Sequence, residues 1–284
     1  MSVAVAAEAN NFGATVSGFD LTNLRDSQVE QIRALWLKHQ VLAFPEQRLS
    51  HDQLAEFTLQ LGAFGLEPYV APVRDHEHIL EIRREPDEAV QPFGASWHSD
   101  WSFQPEPPAA TILHAKIIPP VGGDTLYADG YAAFAALSAD EQDYLKTLRA
   151  LHSARRPYSH QGYQAGAGDQ RSMTILPSDS ALEIVEHPLV RTHPETGRQA
   201  LWVNAVYTVG IRGLNKEAAS QLLARLFAHS IEDRFVYRHR WQTSMLTIWD
   251  NRCTQHCAQG GYDGHRRVLH RTTVAGDRPF LRTA

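Results

Sequence analysis

The stretch Trp97-His98-Ser99-Asp100 places a histidine and a carboxylate two residues apart, and a second histidine, His256, follows 156 residues after Asp100. In an extended strand, residues i and i+2 point to the same side, so His98 and Asp100 can bind one metal ion together. Two histidines and one carboxylate hold Fe(II) on one face and leave its other positions open. The three residues therefore predict a catalytic iron site, although a His-x-Asp tripeptide among 15 histidines needs support from its context.

That support comes from two arginines in the strand-like segment 267–274. Arg267 and Arg271 share strand parity, so both guanidinium groups can face one cavity. A planar guanidinium is well shaped to bind a carboxylate through two parallel hydrogen bonds. A metal ion with open positions beside a fixed arginine is what the binding of a small dicarboxylate requires.

These residues and several shorter motifs together resemble the taurine and 2,4-dichlorophenoxyacetate dioxygenase family of Fe(II)- and 2-oxoglutarate-dependent oxygenases. The resemblance runs over nearly the whole chain. It rests on Trp97 to Asp100, Pro107 to Ala109, Pro119 to Thr125, Val190 to Pro194, Trp249 to Arg252, His256, Arg267, Arg271 and Gly276 to Pro279. It implies Fe(II) as cofactor and 2-oxoglutarate and O2 as co-substrates, with succinate and CO2 released as the prime substrate is hydroxylated.

The resemblance also implies roles for single residues. His98, Asp100 and His256 would be the catalytic metal ligands, Arg267 would bind the distal carboxylate of 2-oxoglutarate, and the Thr125 hydroxyl would assist it. Arg271 would bind an anionic head group of the prime substrate, with a second contact to 2-oxoglutarate as the alternative. Four aromatic residues match positions in the substrate pocket: Tyr69, Trp101, Phe103 and Tyr207.

The substrate class follows less directly. Taurine enzymes carry a His-x-His-Pro-x-Tyr motif whose second histidine contacts the sulfonate, and ungapped counting places Tyr69 there. Gly94 stands where those enzymes have an asparagine, so taurine itself is not favoured. We expect a small anionic molecule: a sulfonate, a sulfate ester, or an aryloxy or other carboxylic acid. The alternative is a metal-dependent hydrolase using the same three ligands, which would not need Arg267 and Thr125 for a dicarboxylate.

The composition of the chain argues against several other classes of protein. The chain has 284 residues, 43% hydrophobic, and predicted ligands from position 98 to 271, so we expect a single domain over 1–284. A net charge of −5 without a basic run argues against nucleic acid. No signal peptide or membrane-length apolar run is apparent, which predicts a cytoplasmic protein that does not enter a membrane. As partners we expect a small-molecule substrate and further copies of the chain in a homo-oligomer.

Periodicity and caps predict an α+β fold that is mainly β. Helices are expected from Asp26 to Gln40, after Ser50, after Ser138 to about Leu151, and after Asn215. Strands are predicted at 41–44, 79–82, 110–118, 125–128, 200–203, 234–241, 245–249 and 267–274. Many strands with few helices fit a double-stranded β-helix, or jelly roll, with flanking helices, which is also the fold that the resemblance implies.

Other residues are interpreted as structural or left open. The segment from Tyr158 to Ser172 has few large apolar residues, which predicts either an exposed loop or a mobile lid over the site. Arg252 and Arg266 are expected to form ion pairs within the core. Cys257, adjacent to His256, would point away from the metal. Six histidines are interpreted as structural: His114, His152, His187, His193, His239 and His270.

Overall fold

The computed structural model describes residues 3–8 and 10–282 of the chain. Helices α1 to α7 span Asp26–His39, His51–Leu61, Gly130–Ala135, Ala139–Lys146, Arg155–Tyr158, Tyr163–Ala167 and Lys216–Ser230. Strands β1 to β16 span Ala4–Ala7, Ala14–Ser17, Val41–Phe44, Pro72–Val73, His76–Arg84, Ala110–Ile117, Thr125–Asp129, Arg149–His152, Val185–Pro188, Val190–Thr192, Gln199–Leu201, Thr208–Ile211, Val236–His239, Leu246–Asp250, Thr254–Ala258 and Arg267–Val274. Short 3₁₀ helices lie at Gly168–Gln170, Asp179–Leu182 and Asp233–Phe235.

Within the described residues, the strands form one large sheet and three smaller ones. The large sheet has the order β1-β2-β3-β14-β6-β16-β5-β4, in which β2 and β3 are parallel and the other neighbours antiparallel. The smaller sheets have the orders β10-β11, β12-β8-β9 and β13-β7-β15. The fold is therefore mixed and mainly β, as the sequence predicted.

Two helices cover the large sheet with apolar side chains at helical spacing. Ile32 and Trp36 of α1, and Leu54 and Phe57 of α2, are at most 1% exposed. They pack in one apolar cluster with Ile248 of β14 and other sheet residues. Burying one such side chain contributes roughly 1.5–3 kcal/mol, so this packing holds the sheet that carries both predicted cavity arginines on β16. No helix in the described part of the chain is long and apolar enough to cross a bilayer.

Side-chain caps begin three helices where the sequence predicted them. Ser50, Ser138 and Asn215 each accept a hydrogen bond from the backbone N–H three residues later. The predicted end of α4 near Leu151 is wrong, because α4 ends at Lys146. Residues 149–152 instead form β8, which pairs with β12 and β9. Sheet pairing there outweighs the helical pattern.

The predicted strands all fall on observed ones, with different ends in most cases. The segments 41–44 and 267–274 have the predicted bounds. The segment 234–241 is shorter than predicted, since a 3₁₀ helix precedes Val236–His239. Strand β15, Thr254–Ala258, was not among the predicted strands; it pairs with β7. This omission matters because β15 carries His256.

The segment predicted as a loop or lid contains local structure. It includes the end of α5, all of α6 and a 3₁₀ helix. Tyr158 and Gln164 are 3% and 6% exposed, whereas Tyr163 is 54% exposed. One side of the segment therefore packs onto the protein and the other faces solvent. The segment is not an exposed loop without secondary structure. Its predicted mobility stays a prediction. We call residues 155–172 the lid segment.

Candidate active site

Three side chains that can ligate a metal converge where β15 meets the stretch 97–100. His98 and His256 form a β-bridge, with hydrogen bonds of 3.1 Å from His98 N to His256 O and 2.8 Å from His256 N to His98 O. Asp100 lies in a turn and precedes Trp101, whose φ of 48° is rare for a bulky residue. His98 and Asp100 thus do not share the regular strand assumed above. Even so, ligand atoms of the three side chains lie within 4.8 Å of one another.

Both histidines present Nε2 to the Asp100 carboxylate. His98 Nε2 lies 3.5 Å from Asp100 Oδ1, and His256 Nε2 lies 3.8 Å from Asp100 Oδ2. His98 Nδ1 lies 2.6 Å from the carbonyl oxygen of Ser96, which can only accept, so Nδ1 carries the hydrogen and Nε2 keeps a free lone pair. Burial, together with His98, lowers the pKa of His256 to about 3, so its imidazole is neutral near pH 7.

The Asp100 carboxylate is buried but remains ionised. Burial alone would raise its pKa, yet the Arg271 guanidinium and the two histidines lower the pKa of Asp100 well below its usual range. Arg271 Nη1 lies 3.1 Å from Oδ1, and the Thr111 hydroxyl donates to Oδ2 over 2.6 Å. Two imidazoles and one held carboxylate are a suitable ligand set for Fe(II).

A cavity beside these ligands contains both arginines of β16, as strand parity predicted. We call it the arginine cavity. The residues that line it are Ile82, Phe93, Gly94, His98, Leu113, Thr125, Trp249, His256, Ala258, Arg267 and Arg271. A small molecule in this cavity would therefore touch two of the predicted metal ligands and three of the predicted ligand-binding residues.

Arg267 and Thr125 offer unused hydrogen-bond donors in the arginine cavity. Arg267 is 6% exposed and donates from Nη2 to the Gly123 carbonyl over 3.1 Å, while its Nε has no partner among the described residues. The Thr125 hydroxyl accepts from Trp241 Nε1 over 3.0 Å, so its own hydrogen stays free to donate. A carboxylate that moves from water into a buried cavity needs a cation and hydrogen-bond donors as partners, and Arg267 and Thr125 can provide both.

Arg271, in contrast, already faces two carboxylates. Besides its contact with Asp100, its Nε donates to Glu67 Oε1 over 3.1 Å. Glu67 also accepts from Trp101 Nε1 over 2.6 Å. Burial raises the pKa of Glu67, although Arg271 opposes that shift. Arg271 Nη2 is buried without a partner among the described residues, so one donor remains for a ligand at the metal.

A second cavity, of about 230 Å³, meets the arginine cavity at Phe93, Gly94 and His98. We call it the outer cavity. Its wall is formed by residues 91–96, by the lid segment and by the loop before β12. The residues that line it are Gln91, Pro92, Phe93, Gly94, Ala95, Ser96, His98, Tyr158, Tyr163, Gln164, Arg171, Val206 and Tyr207.

The four aromatic residues predicted for the pocket lie in one apolar cluster. Tyr207 lines the outer cavity, and its ring centroid is 6.1 Å from that of His98. Tyr69 and Phe103 instead line a different pocket, and Trp101 is 1% exposed beside Glu67. Of the four, Tyr207 is thus the one placed to meet a molecule at the metal, while the others pack behind it.

Several neighbours of the site were not singled out from the sequence. Thr111 is one of many strand threonines, and Arg171 lies in a segment that was interpreted only as a loop or lid. Glu67 had a usable signal: aligning Pro68 with the proline of the His-x-His-Pro-x-Tyr motif, instead of counting without gaps, places Glu67 at the second histidine. Arg252 forms its predicted buried ion pairs, with Asp250 and Glu195.

One structural prediction at the edge of the site is wrong. Arg266 does pair with Glu85, at 3.2 Å between Nε and Oε1, but its side chain is 46% exposed and not part of the core. The charge of Arg266 is therefore largely screened by water, unlike that of its buried neighbour Arg267.

Comparison with known proteins agrees with this geometry. The family model described as taurine catabolism dioxygenase TauD, TfdA family matches residues 4–273. The alpha-ketoglutarate-dependent 2,4-dichlorophenoxyacetate dioxygenase of Cupriavidus pinatubonensis is 34% identical over 94% of this chain and 95% of that protein. The alpha-ketoglutarate-dependent sulfate ester dioxygenase of Pseudomonas putida is 31% identical over 95% and 89%.

Among solved structures, AAD-2 in complex with Mn(II) and N-oxalylglycine has a TM-score of 0.80 and 28% identity, covering 99% of this chain and 100% of that one. These relatives favour a dioxygenase over the hydrolase that the ligand set alone left open. The chain therefore belongs to the taurine catabolism dioxygenase TauD, TfdA family and is an Fe(II)- and 2-oxoglutarate-dependent dioxygenase.

Proposed function

We propose that this enzyme hydroxylates a small organic anion with an apolar or aromatic body, such as an aryloxy acid, a sulfate ester or a sulfonate. The observation that carries the proposal is the meeting of two different cavities at His98. The free donors of Arg267 and Thr125 in the arginine cavity suit a carboxylate group, and the outer cavity, of about 230 Å³, has room for a second molecule. Relatives that act on 2,4-dichlorophenoxyacetate and on sulfate esters support the substrate class.

In this proposal, His98, Asp100 and His256 hold Fe(II), and bound iron supplies O2 activation coupled to decarboxylation of 2-oxoglutarate. Arg267 pairs with the distal carboxylate of 2-oxoglutarate, and the Thr125 hydroxyl donates to it. One O2, one 2-oxoglutarate and one substrate C–H bond are consumed to give one C–OH group, succinate and CO2. Burial of the three ligands keeps water away from the reacting atoms.

For Arg271, binding of the substrate anion stays a prediction. Its contact with Asp100 and its place in the arginine cavity support the alternative, in which its free Nη2 donates to the end of 2-oxoglutarate nearest the metal. Tyr207 forms the aromatic wall for the substrate. Tyr69, Trp101 and Phe103 support that wall from behind.

We further propose that 1–284 forms one domain with a jelly-roll topology. The three metal ligands come from positions 98 to 256 and Arg271 lies beyond them, so one site joins both halves of the chain. The mainly β architecture and the structural likeness to AAD-2 support this fold. The cytoplasmic location and the homo-oligomer remain predictions.

The test is substrate-dependent turnover of 2-oxoglutarate by the iron-loaded enzyme. Succinate release is measured with 2,4-dichlorophenoxyacetate, hexyl sulfate and taurine, alongside the variant His256→Ala. We expect release with one of the first two, and none from His256→Ala, which loses an iron ligand. Release that does not depend on any of the three anions would contradict the proposed substrate class.

A further inference from the structure

Among the described residues that line the outer cavity, Arg171, from the end of the lid segment, is the one with a cationic guanidinium. The side chain of Arg171 is only 5% exposed, so its charge is largely removed from water. A buried guanidinium normally has most of its five N–H groups hydrogen-bonded, because an unpaired buried donor is costly. The partners of Arg171 therefore indicate whether the group serves only the fold.

Most of the donors of Arg171 are not used by the protein. Among the described residues, its guanidinium donates one hydrogen bond, from Nη2 to the Gln91 carbonyl over 3.0 Å, and Nε has no partner. Its ion-pair partner is Glu88, but Nη1 and Glu88 Oε1 are 3.6 Å apart, too far for a hydrogen bond. Arg171 thus faces the cavity with capacity for another acceptor.

Glu88 is itself held by other groups. Its Oε2 accepts from the backbone N–H of Ser172 over 2.8 Å and from the Ser172 hydroxyl over 2.6 Å. Its Oε1, which faces Arg171, has no hydrogen-bond partner among the described residues. Glu88 therefore provides a nearby counter-charge for Arg171 without occupying its donors. An anion entering the cavity would compete with this weak pair, not displace a bidentate one.

Two donor nitrogens of Arg271, unlike those of Arg171, are already used by carboxylates. Glu67 and Asp100 each lie 3.1 Å from a nitrogen of Arg271, which lines the arginine cavity. A second anion of the prime substrate placed there would lie close to both carboxylates. Like charges brought together in a buried site are unfavourable. The electrostatics therefore direct a substrate anion away from Arg271 and toward the lid side of the outer cavity.

We propose that Arg171 binds the anionic group of the prime substrate, while Phe93 and Tyr207 hold its apolar body next to His98. This rests on the proposed function, because it names the anion-binding residue of the same substrate site. Arg171 is then the residue by which this chain selects anions over neutral molecules of the same shape. The lid segment supplies Arg171, Tyr158 and Tyr163 to this cavity.

The test compares matched anionic and neutral probes. Binding of 2,4-dichlorophenoxyacetate and its primary amide, and of hexyl sulfate and hexan-1-ol, is measured by calorimetry in the enzyme loaded with Fe(II) and N-oxalylglycine without O2. We expect the wild type to bind at least one anion more tightly than its neutral partner. Arg171→Gln should weaken the binding of that anion about 30-fold or more and change the binding of the neutral partner little. Equal binding of anion and neutral probe by the wild type would overturn the proposal.

Two further variants separate binding from a role in the fold. Glu88→Gln removes the competing charge but keeps an oxygen for Ser172, so it should bind the anion several-fold more tightly. The double variant Arg171→Gln/Glu88→Gln removes both charges, leaves no unpaired ion, and should have lost the preference for the anion. If Glu88→Gln and Arg171→Gln weaken binding of the anion to the same extent, the Arg171–Glu88 pair is structural and the proposal is wrong.

Arg155→Gln is the matched control, because Arg155 lies in the same segment but does not line the outer cavity. It should bind all probes as the wild type does. Succinate release by the wild type tests the proposed function separately. An enzyme that prefers anions through Arg171 but releases no succinate with them would contradict the reaction, not the binding role.

Discussion

Thr111 on β6 connects Asp100, one of the three proposed iron ligands, to the sheet. Its hydroxyl donates to Asp100 Oδ2 and accepts from the Asn251 side-chain amide over 2.8 Å. A carboxylate ligand held in this way keeps one orientation toward the metal, and loss of such a contact commonly costs 10–100-fold in metal affinity. The position therefore allows a test of metal binding that leaves all three ligands in place.

We expect Thr111→Val to bind Fe(II) about 10–100-fold more weakly than the wild type, because Asp100 loses its hydrogen bond while the side-chain volume stays similar. Anaerobic Fe(II) titration with 2-oxoglutarate, followed by the visible charge-transfer band, measures the affinity. Thr111→Ser keeps the hydroxyl and is the control. Wild-type affinity in Thr111→Val would mean that packing alone positions Asp100.

Arg267 is the residue proposed to bind the distal carboxylate of 2-oxoglutarate. Arg267→Ala should raise the KM for 2-oxoglutarate by about thirty- to several-thousand-fold, since truncating one partner of a buried charge pair costs roughly 2–5 kcal/mol. Arg266→Ala is the control, because Arg266 is 46% exposed and pairs with Glu85 at the surface. An unchanged KM in Arg267→Ala would move the carboxylate contact to another residue.

For Arg271, the discriminating measurement is the charge-transfer band of the iron–2-oxoglutarate enzyme before any substrate is added. If Arg271→Gln forms this band at wild-type 2-oxoglutarate concentrations but binds the prime substrate weakly, the predicted substrate role holds. If the band needs far more 2-oxoglutarate, Arg271 is a co-substrate residue. The second outcome is the one that its position beside Asp100 supports.

At the scale of elements, local signals predicted the parts of the structure that depend on local interactions. Caps placed the starts of helices α2, α4 and α7, and the strand pattern of 267–274 predicted β16 with its observed bounds. The end of α4 and the existence of β15 were wrong or missed, because both depend on pairing with distant strands. The two predicted cavity arginines could be found from parity, and Glu67 from aligning Pro68 with the proline of the His-x-His-Pro-x-Tyr motif. Arg171 could not be found, since its role depends on long-range contacts.

The turn before Thr125 is an element whose geometry requires glycine. Gly122 has a φ of +66°, and a Cβ there would lie 2.4 Å from the Gly261 carbonyl oxygen. Gly123, which follows, accepts the hydrogen bond from Arg267. A side chain at position 122 would therefore displace the backbone that positions two of the groups proposed to bind 2-oxoglutarate.

We expect Gly122→Ala to weaken 2-oxoglutarate binding at least tenfold and to lower the midpoint of thermal unfolding. Gly213→Ala is a matched control, since Gly213 has a φ of +79° but has open space where the Cβ would lie. It should carry only the backbone strain, roughly 1–2 kcal/mol, with 2-oxoglutarate binding unchanged. Equal loss of 2-oxoglutarate binding in both variants would mean that the clash with Gly261 has no part in it.

At the scale of the whole molecule, polar groups are buried for different purposes. Some belong to the site, and others, such as Asp250 with Arg252 and His193, hold the turn that leads into β15. Several buried histidines do neither and remain neutral in the folded protein. Burial lowers the pKa of His114 and His187 to about 4 and, together with Arg267, that of His239 to about 3.

These histidines predict that stability falls as the pH is lowered. In the unfolded chain each has a pKa near 6.5, so between about pH 6.5 and 4 the unfolded state binds protons that the folded state does not. The contribution of these histidines to the free energy of unfolding is therefore fully present above pH 6.5 and decreases below it. The decrease is at most about 1.4 kcal/mol per pH unit for each such histidine. Urea unfolding with EDTA present, at pH 7.5, 6 and 5, measures this slope without a contribution from bound metal.

His187→Gln isolates one histidine from the rest. His187 Nε2 lies 3.0 Å from the Gln104 carbonyl oxygen, and a glutamine amide can donate to the same acceptor without titrating. We expect this variant to lose less stability between pH 6 and 5 than the wild type, by about 1 kcal/mol. Because carboxylates titrate mainly below this range, the difference reports the histidine alone. If the slopes are equal, His187 binds its proton in the folded protein, and its burial does not keep it neutral.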